Sequence, residues 1–144
     1  MTASSAGYSG KPLPVKLGFK PGMAAAFVAL PPAFSHLATW ADFATVEEAE
    51  DWDGQFGSRR FDLIHAFTSS RLELVGGLLR LQAAIKTDGM IWVSWPKRAS
   101  KVATDLTEDV IRSLALEGDL VDVKVAAIDP VWSGLKLVIR KDRR

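Results

Sequence analysis

The sequence predicts an α/β fold in which a mostly parallel sheet carries helices on both faces and ends in an antiparallel hairpin. Residues 23–30 and 61–67 are apolar with little alternation, the pattern of strands buried on both faces. They are separated, and then followed, by segments with helical spacing or turn residues, and strands that alternate with helices imply parallel pairing through right-handed crossovers. Near the end, residues 120–128 and 135–140 alternate apolar and polar side chains about a connection holding Pro130 and Gly134, which reads as a hairpin. The whole is a small Rossmann-like three-layer sandwich.

Residues 1–9 are small and polar, a composition that predicts disorder, and residues 10–144 are expected to form a single domain. Pro12, Pro14, Pro21, Gly10, Gly18 and Gly22 make residues 10–22 a loop with at most one helical turn. Residues 23–30 form the first strand, ended by Pro31 and Pro32, and residues 33–38 a short helix. A second strand is predicted over 40–46, followed by a helical turn over 47–51 whose carboxylates suit the positive end of a helix. A polar loop with Gly54 and Gly57 leads to the strand at 61–67.

Thr68, Ser69 and Ser70 can each cap the helix that follows, in which Leu72, Val75, Leu79 and Ala83 make an apolar stripe. That helix is expected to run to about Lys86, with a turn at Asp88-Gly89 and a strand over 90–95 stopped by Pro96. Asp105 and Glu108 have capping-box spacing before a helix with Val110, Ile111 and Leu114 on one stripe, which ends at Gly118.

With 144 residues, 48% hydrophobic and 24% charged, the chain is long enough to bury a sizeable core. The absence of cysteine excludes a disulfide scaffold, a thiolate metal site, an iron–sulfur cluster and a cysteine nucleophile. Two histidines leave little for a protein metal site, so none is expected, and no GxxxxGK[ST] loop is present. Eighteen basic residues against 17 acidic ones give no reason to expect nucleic-acid or membrane binding, and the missing apolar leader points to the cytoplasm. The charges are nevertheless segregated. Asp42, Glu47, Glu48, Glu50, Asp51 and Asp53 fall in a stretch without Lys or Arg, while cations gather near Lys97 and at the C-terminus.

Ligands of open α/β sheets bind beyond the carboxyl ends of the strands. Here those ends hold Pro31-Pro32, Glu47, Thr68-Ser69 and the segment from Trp95 to Lys101. Trp95, Lys97, Arg98, Ser100 and Lys101 precede a helix and make a candidate site for a small anion, with Arg98 able to grip a carboxylate or phosphate in bidentate fashion. The plain alternative is a solvated loop. His65 reads as a core histidine, and Ser35-His36 lacks the GxSxG elbow of a nucleophile site.

From Phe61 onward the order strand, helix, Asp88-Gly89, strand, helix, hairpin resembles the second half of class I S-adenosylmethionine-dependent methyltransferases, including the stretch IKTDGMIWV over residues 85–93. Three stretches, GYSGKPLPVKLGFKPG (7–22), WVSWPKRASKVATDLTEDVIR (92–112) and LVDVKVAAIDPVWSGLKLVIR (120–140), resemble an uncharacterised bacterial family known as domain of unknown function 3052. The methyltransferase resemblance implies a glycine-rich turn after the first strand and a carboxylate after the second to hold the ribose of the cofactor. The first strand instead ends FVALPPAF, without glycine, while Glu47 stands in the carboxylate's place, and Thr68 and Ser69 complete a cofactor site under that reading. The short chain and the missing glycines lead to the expectation of a non-catalytic module that binds a protein partner, a second copy or a small anion. The alternative is a divergent methyltransferase using S-adenosylmethionine.

Overall fold

The computed structural model describes residues 11–144, so the expectation of disorder for residues 1–9 and the start of the 7–22 stretch lie outside the described residues. Six strands, β1 (Ala24–Val28), β2 (Thr45–Ala49), β3 (Phe61–Phe67), β4 (Ile85–Pro96), β5 (Leu120–Ala127) and β6 (Trp132–Ile139), form one sheet in the order β2-β1-β3-β4-β6-β5. β1 pairs in parallel with β2 and β3, and β3 with β4; β4–β6 and β5–β6 are antiparallel. This is the mostly parallel Rossmann-like sheet with a closing hairpin. β1 has a parallel neighbour on each side and a layer on each face, which explains why Ala25 to Val28 are all buried and show no alternation.

On one face α3 (Arg71–Ala84) and α4 (Glu108–Glu117) bring Leu74, Leu81, Ile111 and Ala115 onto Ile64, Ile91 and Leu135. On the other, α1 (Leu13–Lys16), α2 (Leu37–Trp40) and their flanking loops bring Leu17, Phe19, Phe34 and Leu37 onto Phe27, Leu63 and Trp92. Each such leucine, isoleucine or phenylalanine contributes about 1.5–3 kcal/mol of burial. Trp92 also donates its indole N–H to the Leu17 carbonyl at 2.9 Å, tying the entry loop to the middle of the sheet.

Several local expectations are corrected. The cap of α4 is Thr107, whose hydroxyl accepts the Val110 N–H at 3.2 Å; Asp105 instead accepts the Arg71 N–H at 2.7 Å and braces the start of α3. For α3 the cap is Ser70, one of the three candidates the sequence offers, and it accepts from the Glu73 N–H. Residues 47–49 belong to β2 because they pair with β1, so the helical turn at 47–51 does not form. Asp88-Gly89 lies inside β4 beside a register shift, where a Cβ on Gly89 would stand 2.9 Å from the Phe61 carbonyl oxygen. The apolar stripe of α3 points the other way: Leu74, Leu78 and Leu81 face the sheet, while Leu72 is 81% and Leu79 66% exposed. Gly77 decides this, since its bare backbone receives the Trp52 ring on the buried side.

Candidate functional site

β1 lies between β2 and β3, and the switch in strand order falls between the carboxyl ends of β1 and β3, the end of the sheet at which open α/β folds bind ligands. Just beyond β1, Ala29 takes φ 54°, the left-handed conformation that glycine adopts without strain. It is held there by its N–H, which donates to the Ala49 carbonyl at 2.8 Å. Leu30 and Pro31 then lead the chain away and Pro32 opens a single 3₁₀ turn. The result is a crevice of about 370 Å³ between the carboxyl ends of β1 and β2, walled by Ala29, Leu30, Pro31, Pro32 and Ala49, with the exposed residues Glu48 and Glu50 on its rim.

Glu48 and Glu50 line this crevice and Glu47 does not. Glu47 lies opposite Ala26 and Glu48 opposite Phe27, so these two fall on opposite faces of β2, and Glu50 follows just beyond its end. Glu47 is ion-paired with Arg60, whose guanidinium stands 4.6 Å over the Phe61 ring. The sequence signal for Glu48 and Glu50 was present in the acidic run, but separating Glu48 from Glu47 required the register.

Thr68 and Ser69 follow β3 and do not line the crevice. Thr68 is buried, donates its hydroxyl to Glu73 Oε1 at 2.5 Å and accepts the Ser70 N–H at 3.1 Å, so its polar atoms serve the start of α3. Ser69 is exposed and its carbonyl accepts from the Thr104 hydroxyl at 2.8 Å. Beside them a wider concavity of about 550 Å³ is lined by Trp52, Asp53, Ser70, Leu72, Glu73, Gly76 and Arg80. Its Trp52 is fixed by an indole N–H donated to the Phe67 carbonyl at 2.8 Å, and Arg80 donates to the Trp52 carbonyl.

The residues from Trp95 to Lys101 are not brought together. Trp95 is buried in the α3/α4 layer, whereas Trp92 is buried in the opposite layer. Arg98, Ala99 and Ser100 form a 3₁₀ turn in which the Ser100 hydroxyl donates to the Lys97 carbonyl at 2.6 Å and accepts the Val102 N–H. Lys101 closes the turn in the left-handed region, and α4 starts only at Glu108, so its free N–H groups do not converge on this turn. Arg98 and Lys101 remain exposed, while Lys97 is half-buried.

His65 is fully buried, with Nε2 2.8 Å from Ser94 Oγ. Burial holds its pKa down at about 3, so the ring is neutral at physiological pH. Ser35 and His36 are exposed and lie between the 3₁₀ turn at Pro32–Phe34 and α2. Among the described residues no group of His, Cys, Asp and Glu is placed to hold a metal ion, and no helix is long and apolar enough to cross a membrane.

Neither a family model nor a curated protein matches the sequence. Solved structures do match. An S-adenosylmethionine-dependent methyltransferase from Aquifex aeolicus superposes with a TM-score of 0.67 at 14% identity, covering 88% of this chain and 89% of its own. Magnesium protoporphyrin IX methyltransferase from Synechocystis PCC 6803, solved with bound S-adenosylmethionine, gives 0.62 at 14% identity over 88% of this chain and 74% of its own. The 1,6-didemethyltoxoflavin-N1-methyltransferase of Burkholderia thailandensis, solved with S-adenosylhomocysteine, gives 0.58 at 14% identity over 90% and 75%. The fold is therefore that of the methyltransferase-like Rossmann proteins.

These neighbours correct the expectation of a non-catalytic module. That expectation rested on a chain too short for a cofactor-binding core and on the missing glycines. The Aquifex methyltransferase is matched over 89% of its length, and Ala29 makes the left-handed turn without a glycine.

Proposed function

We propose that the protein is an S-adenosylmethionine-dependent methyltransferase that holds the nucleoside of its cofactor in the crevice at the carboxyl ends of β1 and β2. The observation that carries this reading is the placement of Glu48 and Glu50 on the rim, beside the left-handed turn at Ala29. A carboxylate there accepts hydrogen bonds from the two vicinal hydroxyls of a ribose, and charge-assisted bonds of this kind are the stronger ones. Leu30 and the two proline rings supply an apolar wall for a purine. Pro31 and Pro32 offer no N–H, so the amino-acid end of the cofactor must be held by other groups beyond β1. The residues present thus fit the nucleoside half of the group. When bound, the cofactor supplies an electrophilic methyl group.

The likeness of residues 92–112 and 120–140 to the uncharacterised bacterial family, and a cytoplasmic location, belong to the same reading. Isothermal titration calorimetry with S-adenosylmethionine and S-adenosylhomocysteine tests it. We expect binding that the double substitution Glu48→Gln, Glu50→Gln weakens by roughly tenfold or more, about 1.4 kcal/mol. No heat and no thermal shift at millimolar cofactor would overturn the proposal.

A further inference from the structure

The outward face of α3 carries an apolar stripe that the fold leaves bare. Leu72 is 81%, Val75 47% and Leu79 66% exposed, and a Cβ on Gly76, among them, would meet nothing within 4 Å. Contiguous apolar surface with a polar rim marks an interaction site, whereas single exposed leucines do not. α4 runs beside α3 in the same direction, because both follow parallel strands and cover the same face of the sheet. A groove lies between the two helices. Toward their ends it holds a hollow of about 170 Å³ whose lining includes Val75, Leu78, Leu79, Leu114 and Glu117, and toward their starts Arg71, Asp109 and Val110 line a second hollow.

Two charged residues of this groove are placed against the helix dipoles. Arg71 is the first residue of α3, where free N–H groups favour an anion, and Glu117 is the last residue of α4, where free carbonyls favour a cation. Both are exposed, and neither is ion-paired among the described residues. Asp105 takes the backbone N–H of Arg71 and not its guanidinium. Each charge is therefore slightly unfavourable within its own chain, and a countercharge from outside relieves it.

We propose that the α3/α4 face is a two-fold interface with a second copy of this chain. The stripe is symmetric about its own middle: Leu72 and Leu79, and likewise Val75 and Gly76, are equally spaced about a point between residues 75 and 76. A second α3 laid antiparallel through a two-fold axis at that point sets Leu72 of each copy against Leu79 of the other, where the apolar hollow lies. Val75 and Gly76 of both copies meet at the axis, and the bare Gly76 lets the backbones approach. The same rotation lays α4 on α4 with the directions reversed, so Arg71 of each copy comes to the Glu117 end of the other's groove. One rotation thus matches apolar to apolar and cation to carboxylate, and it does so twice. This self-complementarity is what selects a second copy over an unrelated protein. The inference does not depend on cofactor binding.

Sedimentation velocity from roughly 1 μM to 1 mM tests the interface, with a monomer expected to pass into a dimer at tens of micromolar, as suits a small contact of two short helices per copy. Protein at about 1 μM then unfolds as the single chain. Leu72→Ser with Leu79→Ser should weaken the dimer at least roughly tenfold and leave the melting of the dilute chain unchanged. Arg71→Glu and Glu117→Arg should each weaken it about tenfold, because each sets like charges together at both ends of the interface. Both substitutions suit their helix ends, so folding is retained. An equimolar mixture of these two variants should dimerise as strongly as the parent, since every facing pair in the mixed dimer again has opposite charge. The chain has no cysteine, so Val75→Cys treated with a short bismaleimide should link into dimers, while Val123→Cys, exposed on β5, should not. A chain that stays monomeric throughout would overturn the proposal and leave the face to a different protein. A dimer indifferent to the leucine and charge variants, or a mixture that fails to recover, would overturn it equally.

Discussion

His65 Nε2 and Ser94 Oγ lie 2.8 Å apart in the core, each fully buried, and join β3 to β4 through their side chains. The imidazole is stacked on Phe67 at a centroid distance of 4.4 Å, and Nδ1 has no hydrogen-bond partner among the described residues. Burial lowers its pKa from 6.5 to about 3. The unfolded chain takes up a proton near pH 6.5 and the folded one does not until about 3, so stability is full above pH 6.5 and falls as the pH drops through that window. The slope from this one group reaches about 1.4 kcal/mol per pH unit. Urea melts of the parent and of a His65→Leu, Ser94→Ala variant, compared between pH 7.5 and 4.5, should differ in slope by this amount; parallel curves would show that the ring takes up its proton in the folded state.

Adjacent glycines in α3 should respond in opposite directions. A Cβ on Gly77 would stand 2.7 Å from Trp52 Cε3, and Trp52 cannot yield because its N–H is held by the Phe67 carbonyl. Gly77→Ala should therefore destabilise by about 1–3 kcal/mol. A Cβ on Gly76 meets nothing within 4 Å, so Gly76→Ala should stabilise by about 0.5–1 kcal/mol through helix propensity alone. Thermal melts should move down for the first and up for the second.

That contrast also shows what was legible in the sequence. β1 and β3 were readable because strands covered on both faces need unbroken apolar runs, and β3 spans the 61–67 segment to the residue. The hairpin was readable from its alternation. The orientation of α3 was not, because Leu72-Val75-Leu79 and Leu74-Leu78-Leu81 are both apolar, and spacing alone does not choose between them. The choice comes from Trp52, distant in sequence, seated against Gly77. β2 was misplaced because an exposed edge strand of carboxylates carries no hydrophobic period; only pairing with β1 makes it extended. The location of the crevice followed from the rule about strand ends, whereas the separation of Glu47 from Glu48 depended on their register with β1.

The reversed faces of α3 give a direct comparison between neighbours on one helix. Leu74 and Leu81 are fully buried, so Leu→Ala at either should cost about 2–5 kcal/mol, the transfer loss plus the cavity left behind. Leu72 and Leu79, at 81% and 66% exposure, should accept serine within about 0.5 kcal/mol. Urea unfolding measures both sets under one condition. A Leu79→Ser variant as unstable as Leu81→Ala would mean that the exposed stripe is covered by another copy or partner in solution.

Ala29 holds its left-handed φ of 54° because its N–H is anchored to the Ala49 carbonyl, joining the end of β1 to the end of β2. A Cβ in that conformation crowds the following carbonyl at a cost of about 1–2 kcal/mol, which glycine avoids. Glycine in turn loses more freedom on folding, by roughly 0.5–1 kcal/mol. The difference favours Ala29→Gly by about 0.5–1 kcal/mol, and a β-branched residue should be worse than alanine because it is seldom found at positive φ. The expected stability order in urea is Gly, then Ala, then Val at position 29. The turn also forms the crevice wall, so Ala29→Gly should leave S-adenosylmethionine affinity intact or raise it, while Ala29→Val lowers it along with stability. If glycine and alanine forms were equally stable, the left-handed turn would not be the conformation in solution, and the argument that alanine replaces the glycine of this crevice would fail with it.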